Sequence, residues 1–185
     1  MIINQQIHQM IKEGKLLKVD IGCGDKPTLG FLSLDCLAYL EPDILCDVEE
    51  EPISLPNNSC NHIICNYMLE HVEKPLAVMN EIWRICVNGA NVMVGVPHAG
   101  WDGAYKDPTH KHFFTEDSWK YWNSRDDSIP HYGYECKFDL VQLEIRLHPD
   151  FVGKNKNDPE LQFAMKHYRN VIEKIDFHLR AVKGE

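Results

Sequence analysis

The chain has 185 residues, enough for one domain with a full core, and its 44% hydrophobic and 25% charged residues suit a soluble globular protein. Lys and Arg number 19 against 28 Asp and Glu, and the net charge of −9 argues against a nucleic-acid footprint. No apolar run reaches the roughly 18 residues of a membrane span, and residues 1–6 do not read as a signal peptide, so a cytoplasmic protein is expected.

Residues 3–14 carry apolar side chains at helical spacing (Ile3, Ile7, Met10, Ile11), with Gly14 as terminator. Leu16 to Ile21 is the first predicted strand, and it breaks into Gly22-Cys23-Gly24. Phe31 to Asp35 is a second strand, and the gap before it is too short for a full crossover helix. Asp43 to Val48 is a third strand, with Asp47 near its end, and Asn61 to Asn66 a fourth. A helix is predicted from Pro75 to Val87, ended by Gly89, followed by a fifth strand from Asn91 to Val96.

From His98 to Pro130 aromatic, histidine and turn residues dominate, with a short helix at Thr115 to Trp122. Phe138 to Leu147 alternates as a strand, Pro159 to Lys174 reads as a helix, and Ile175 to Ala181 as a last strand. The pattern predicts an α/β fold: a doubly wound, mostly parallel seven-stranded sheet with an antiparallel edge pair and helices on both faces. The whole of 1–185 is expected to be one domain, with a ligand-binding half in 1–97 and a lid with edge strands in 98–185.

Seven cysteines (Cys23, Cys36, Cys46, Cys60, Cys65, Cys86, Cys136) form an odd set without a CxxC pair, which suggests reduced, largely buried thiols. Cys60 and Cys65 around His62 match no zinc spacing. The nearest basic cluster is Lys154 with Lys156.

Ligands of such sheets bind outside the carboxyl ends of the strands, so the Gly22–Gly24 turn marks a site. A dinucleotide turn would read G-x-G-x-x-G with an acid about 20 residues on. Here Pro27 holds the third glycine position and Asp35 follows Gly24 closely, which disfavours a nicotinamide or flavin cofactor. No G-x-x-x-x-G-K-[ST] exists, so a P-loop is excluded. A ligand without phosphates but with ribose, adenine and an amino-acid end fits better, and S-adenosylmethionine is one. Asp35 would accept from its ribose hydroxyls, Asp47 from its adenine amino group, and the Gly22–Gly24 turn with Asp20 would meet the methionine end.

Val19-Asp20-Ile21-Gly22-Cys23-Gly24 resembles the first motif of Rossmann-like, class I S-adenosylmethionine-dependent methyltransferases. Tyr67-Met68-Leu69-Glu70-His71-Val72 resembles the element after strand four in the type-11 branch, and Glu81 to Ala90 resembles the helix ending in Arg-x-Leu-x-Pro-Gly-Gly. Val96-Pro97 is similar to that branch's exit from strand five. Asp107-Pro108-Thr109-His110 with Phe114-Thr115 resembles a segment of small members with a shortened first helix. Lys26, Asn88 and Ala90 depart from the pattern, where glycine, proline and glycine are usual.

The resemblance implies cofactor contacts from Asp20, Gly22, Cys23, Gly24, Asp35, Cys36, Asp47, Val48, Asn66 and Leu69. It implies methyl transfer to an unidentified acceptor, a small molecule or a protein, and the net charge adds that this is not a nucleic acid. A neutral imidazole among His110, His98 and His71, in that order of preference, would act as base toward an acceptor hydroxyl. Glu70 reads as a local cap. Trp101, Tyr105, Phe113, Phe114, Trp119 and Trp122 read as a small lid core.

No metal site is assigned. Asp102, Asp107, His71, His98, His110 and His112 nevertheless offer a second reading, a divalent-metal site. Two other functional classes stay open: a cofactor-binding regulatory partner subunit, and an NAD-linked oxidoreductase or epimerase on a similar sheet.

Overall fold

The computed structural model describes residues 2–3, 5–130, 132–155 and 157–184, with the side chains of 2, 3 and 5 outside the description. Lys156, half of the basic pair named above, lies outside the described residues. The strands are β1 (Ile2–Ile3), β2 (Leu17–Ile21), β3 (Leu32–Asp35), β4 (Ile44–Leu45), β5 (Cys60–Asn66), β6 (Cys86–Pro97), β7 (Phe138–Leu147) and β8 (Ile172–Ala181). The helices are α1 (Gln5–Lys12), α2 (Pro75–Ile85), α3 (Gly103–Lys106) and α4 (Pro159–His167).

The sheet runs β1-β4-β3-β2-β5-β6-β8-β7. Strands β4 through β6 are parallel, and β8 slots antiparallel between β6 and β7. All seven expected strands are therefore present, including the antiparallel edge pair. The additional β1 pairs antiparallel with β4, so Ile3 sits opposite Ile44 rather than on a helix.

Two boundaries moved because pairing overrode propensity. Helix α2 stops at Ile85, since Cys86 already pairs with Cys60 of β5, and Gly89 lies inside β6. Helix α4 stops at His167, and Ile172 to Lys174 join β8 because Leu147, Arg146 and Pro97 offer partners. The predicted helix at 115–122 is a 3-10 turn over Ser118–Trp122.

Alternation along the strands sorts the core. Val19, Ile63, Val92 and Leu179 stand in one register row, all buried, and join one apolar cluster with the stripes of α1 (Ile7) and α2 (Val78, Met79, Ile82). On the opposite face Ile64 and Met93 pair at the centre of the sheet, yet both are half-buried and belong to neither core cluster. The stripes of α1 and α2 thus pack on the face that carries Val19 and Ile63. The links 22–31 and 36–43 are too short for the dozen or more residues of a helical crossover. Alternation also puts His62 and Cys65 on opposite faces, away from any common ion, and burial raises the Cys60 thiol to about 11.

Arg84 of α2 ties the connection before β5 to the helix. Its guanidinium donates to the carbonyls of Leu55 at 3.0 Å and Ile53 at 2.7 Å, and pairs with Glu81 at 2.6 Å. Glu81 in turn accepts from the Ile53 N–H at 2.7 Å. Arg84→Ala is expected to cost about 2 kcal/mol by leaving these groups unpaired, measured by urea denaturation.

Candidate active site

A cavity of about 380 Å³ opens at the carboxyl ends of β2, β3, β4 and β5, where a parallel sheet collects ligands. Its floor is the glycine turn. Gly22 has φ of +68° and Gly24 φ of +57°, both in the left-handed region that side chains resist. The Gly22 N–H donates to the Leu34 carbonyl at 2.8 Å, fastening the turn to β3. A Cβ at Gly22 would lie 2.5 Å from Cγ of Met68, so glycine lets the Met68 wall close on the turn.

Asp35 holds this end of the sheet together. Its Oδ2 accepts from the Gly24 N–H at 2.9 Å and its Oδ1 from the Leu37 N–H at 3.0 Å. A carboxylate offers about four acceptor sites, so two stay available to a ligand. Asp47, one strand over, lines the same cavity and accepts from the Glu49 N–H at 3.0 Å. Asp20 is buried behind the turn and accepts from the Thr28 N–H at 2.8 Å, which closes the loop that stands in place of a crossover helix.

Of the residues expected to contact a cofactor, Gly22, Asp35, Cys36, Asp47 and Val48 line the cavity. Asp20, Cys23 and Gly24 sit in or behind the turn. Leu69 is fully buried in the core, and Asn66 points to the opposite face, against Gly95 and Asp176. Met68, Val72 and Tyr67 line the cavity unforeseen. Tyr67 is the informative one. It has φ of +54°, a strained conformation for a non-glycine residue, and Lys174 Nζ stands 4.9 Å over its ring. Nothing in the sequence marks that strain.

Tyr67 also walls a second cavity, of about 490 Å³, with Pro97, Trp101, Pro108 and His110. Beside it Glu70, His71 and His110 come together, with one donor atom of each within 4.8 Å of the others. The His71 and His110 rings meet edge to face at 4.7 Å. The Lys111 and His112 N–H groups donate to the Glu70 carbonyl at 2.7 and 3.2 Å, so the segment carrying His110 is held against the turn after β5. Glu70 is 1% exposed, and neither carboxylate oxygen has a hydrogen-bond partner. Burial raises its pKa to about 7. Burial, then the neighbouring His110, lowers that of His71.

The other candidates lie apart. His98 accepts from the Gly100 N–H on Nδ1 at 3.1 Å, has Nε2 at 3.5 Å from Glu116, and lines neither cavity. His112 is half-buried with Nε2 3.3 Å from the Glu73 carbonyl, and Asp102 pairs with Arg169. Of the expected lid aromatics, Trp122 and Phe114 are buried, Tyr105 stacks on Phe113 at 4.3 Å, and Trp101 walls the second cavity.

Residues 38–94 match a family model described as a methyltransferase domain. Over those residues the chain is similar to methyltransferase domains. Its matched segment includes Asp47 and the Leu69-Glu70-His71 element, while the glycine turn and Asp35 precede it. The fold is that of S-adenosylmethionine-dependent methyltransferases. One similar crystal structure is of an S-adenosylmethionine-dependent methyltransferase from Archaeoglobus fulgidus, 13% identical, covering 95% of this chain and 91% of that one at a TM-score of 0.59. Another is of such a methyltransferase from Mesorhizobium loti, 15% identical, with 95% of each chain covered and a TM-score of 0.56. The [4+2]-cyclase SpnF is also similar, 14% identical over 97% of this chain and 81% of its own, at a TM-score of 0.54. No curated protein matches. Among the described residues no helix is long and apolar enough to cross a membrane.

Proposed function

We propose that this protein transfers a methyl group from S-adenosylmethionine to a small organic acceptor. One observation carries the reading: Asp35 and Asp47, on adjacent strand ends, share one cavity with a glycine turn that tolerates no Cβ. The residues fit the donor. Asp35 keeps acceptor capacity for a ribose diol, Asp47 is one strand further for an adenine amino group, and the Gly22–Gly24 turn faces the methionine end.

When bound, S-adenosylmethionine supplies an electrophilic methyl group on a sulfonium. The protein's task is to hold an acceptor in line with that methyl and keep water out. Tyr67, common to both cavities, stands where donor and acceptor spaces meet, and the apolar walls of Trp101, Pro97 and Pro108 suit a small organic molecule. In the transfer a bond forms between the acceptor atom and the methyl carbon, the carbon–sulfur bond breaks, and its electron pair returns to sulfur. A hydroxyl acceptor also gives up its proton, and Glu70, His71 and His110 are the polar cluster beside that space.

Isothermal titration with S-adenosylhomocysteine tests the reading. One equivalent is expected per chain, with no heat from NADH. Preference for NADH would overturn it. Binding without transfer to any acceptor class would point to a regulatory partner subunit.

A further inference from the structure

We propose that Glu70, His71 and His110 form a binding site for a divalent first-row transition ion of the zinc or iron type. A backbone carbonyl only accepts, so the 2.8 Å contact of His110 Nδ1 with the Ala104 carbonyl makes Nδ1 the protonated nitrogen and leaves Nε2 with a bare lone pair. The same holds for His71. The Thr109 hydroxyl spends its proton on Asp107 Oδ1 at 2.7 Å, so at 2.9 Å it accepts from His71 Nδ1. Both rings therefore present lone pairs on Nε2, and each is oriented through Nδ1 by an oxygen, the usual outer-shell arrangement of metal-bound histidine.

Glu70 supplies the second, independent observation. Its carboxylate is 1% exposed with both oxygens lacking a hydrogen-bond partner, a costly placement for a polar group in a folded protein. Two imidazoles and a buried carboxyl group meet here, and the only proton available among their free atoms is one that Glu70 itself can carry. A cation satisfies all three.

Two nitrogens and one carboxylate select zinc, iron or a similar borderline ion over magnesium, which prefers an all-oxygen shell. The donor atoms, within 4.8 Å of one another, need to draw together by up to about 1.4 Å to share an ion at bonds of about 2.0–2.2 Å. Asp107, with Oδ2 4.0 Å from His110 Nε2, adds negative charge at the rim. His98, His112 and Asp102 take no part, since each is engaged elsewhere.

Three protein ligands leave coordination positions for another molecule. His110 walls the second cavity, so an acceptor oxygen there would reach the ion and be made more acidic. This last role rests on the methyl-transfer reading, whereas ion binding does not.

Cobalt(II) is the probe, because its visible d–d absorption reports its ligands. Wild-type protein is expected to take up one equivalent, with no thiolate charge-transfer band from the seven cysteines. Glu70→Gln and His110→Ala should each weaken uptake by about 100-fold or more, since losing even an outer-shell partner costs about 10–100-fold. His112→Ala should leave it unchanged. Circular dichroism checks that the variants are folded, and Glu70→Gln, nearly isosteric, guards against a folding artefact. Absence of uptake, uptake indifferent to Glu70→Gln, or a thiolate band would overturn the site. S-adenosylhomocysteine titration of the same samples keeps the two readings separate: cobalt bound through Glu70 supports the metal site whether or not the homocysteine analogue binds.

Discussion

Asp35→Ala is expected to weaken S-adenosylhomocysteine binding by about 10³-fold, roughly 4 kcal/mol, in isothermal titration. The magnitude comes from two charge-assisted hydrogen bonds to a diol, each worth about 1.5–3 kcal/mol once desolvated. The substitution also releases the Gly24 and Leu37 N–H groups, which Asp35 holds at 2.9 and 3.0 Å, so the melting temperature should fall as well. Asp35→Asn separates the two effects. It keeps the side-chain volume and one oxygen that can accept from one of the two backbone N–H groups, while its NH2 faces the other; stability should return only in part while binding stays weak. Asp47→Ala is expected to cost far less, about tenfold, because only one contact is assigned to it. An Asp35→Ala protein that binds the ligand normally would remove the donor assignment of this cavity.

Gly22→Ala is expected to destabilise the fold by about 3 kcal/mol in urea denaturation and to abolish ligand binding. Two costs add. The left-handed backbone at φ +68° penalises any side chain by about 1–2 kcal/mol. The new Cβ then meets Met68 at 2.5 Å to Cγ and 2.8 Å to Cβ, an overpacking cost of about 1–3 kcal/mol. Gly24 provides the control, because it shares the backbone conformation at φ +57° but has nothing within 4 Å of a Cβ. Gly24→Ala should therefore show the first cost alone. Pairing Gly22→Ala with Met68→Gly, which removes both contacting carbons, should recover about 1–2 kcal/mol relative to additivity, and a coupling near zero would show that Met68 is not what glycine accommodates.

Legibility followed the range of the forces. Strands read well where a short apolar run was bounded by turn residues, as at Leu17–Ile21 and Cys60–Asn66, because burial on the covered face is written into the run itself. Helix ends read poorly. Gly89 and Lys174 looked like helix-end residues but belong to strands, since pairing with distant β5 and β6 decides their backbone. The site divided the same way. Gly22, Asp35 and Asp47 were legible because turn geometry and strand ends are local features. Leu69 was misplaced because its burial depends on neighbours far along the chain, and Tyr67 was missed because strain at φ +54° leaves no mark in composition.

By itself the sequence determined the order of strands, the glycine turn and the acids that end strands two and three, all consequences of local backbone preference and hydrophobic periodicity. Only the tertiary structure decided that β1 adds an eighth strand to the sheet, through its pairing with β4. It alone joined Glu70, beside His71 in the chain, to His110 from a distant loop, through the two N–H groups that the Glu70 carbonyl accepts. Such a cluster depends on contacts between remote segments, and its chemistry depends on which protons those contacts use up.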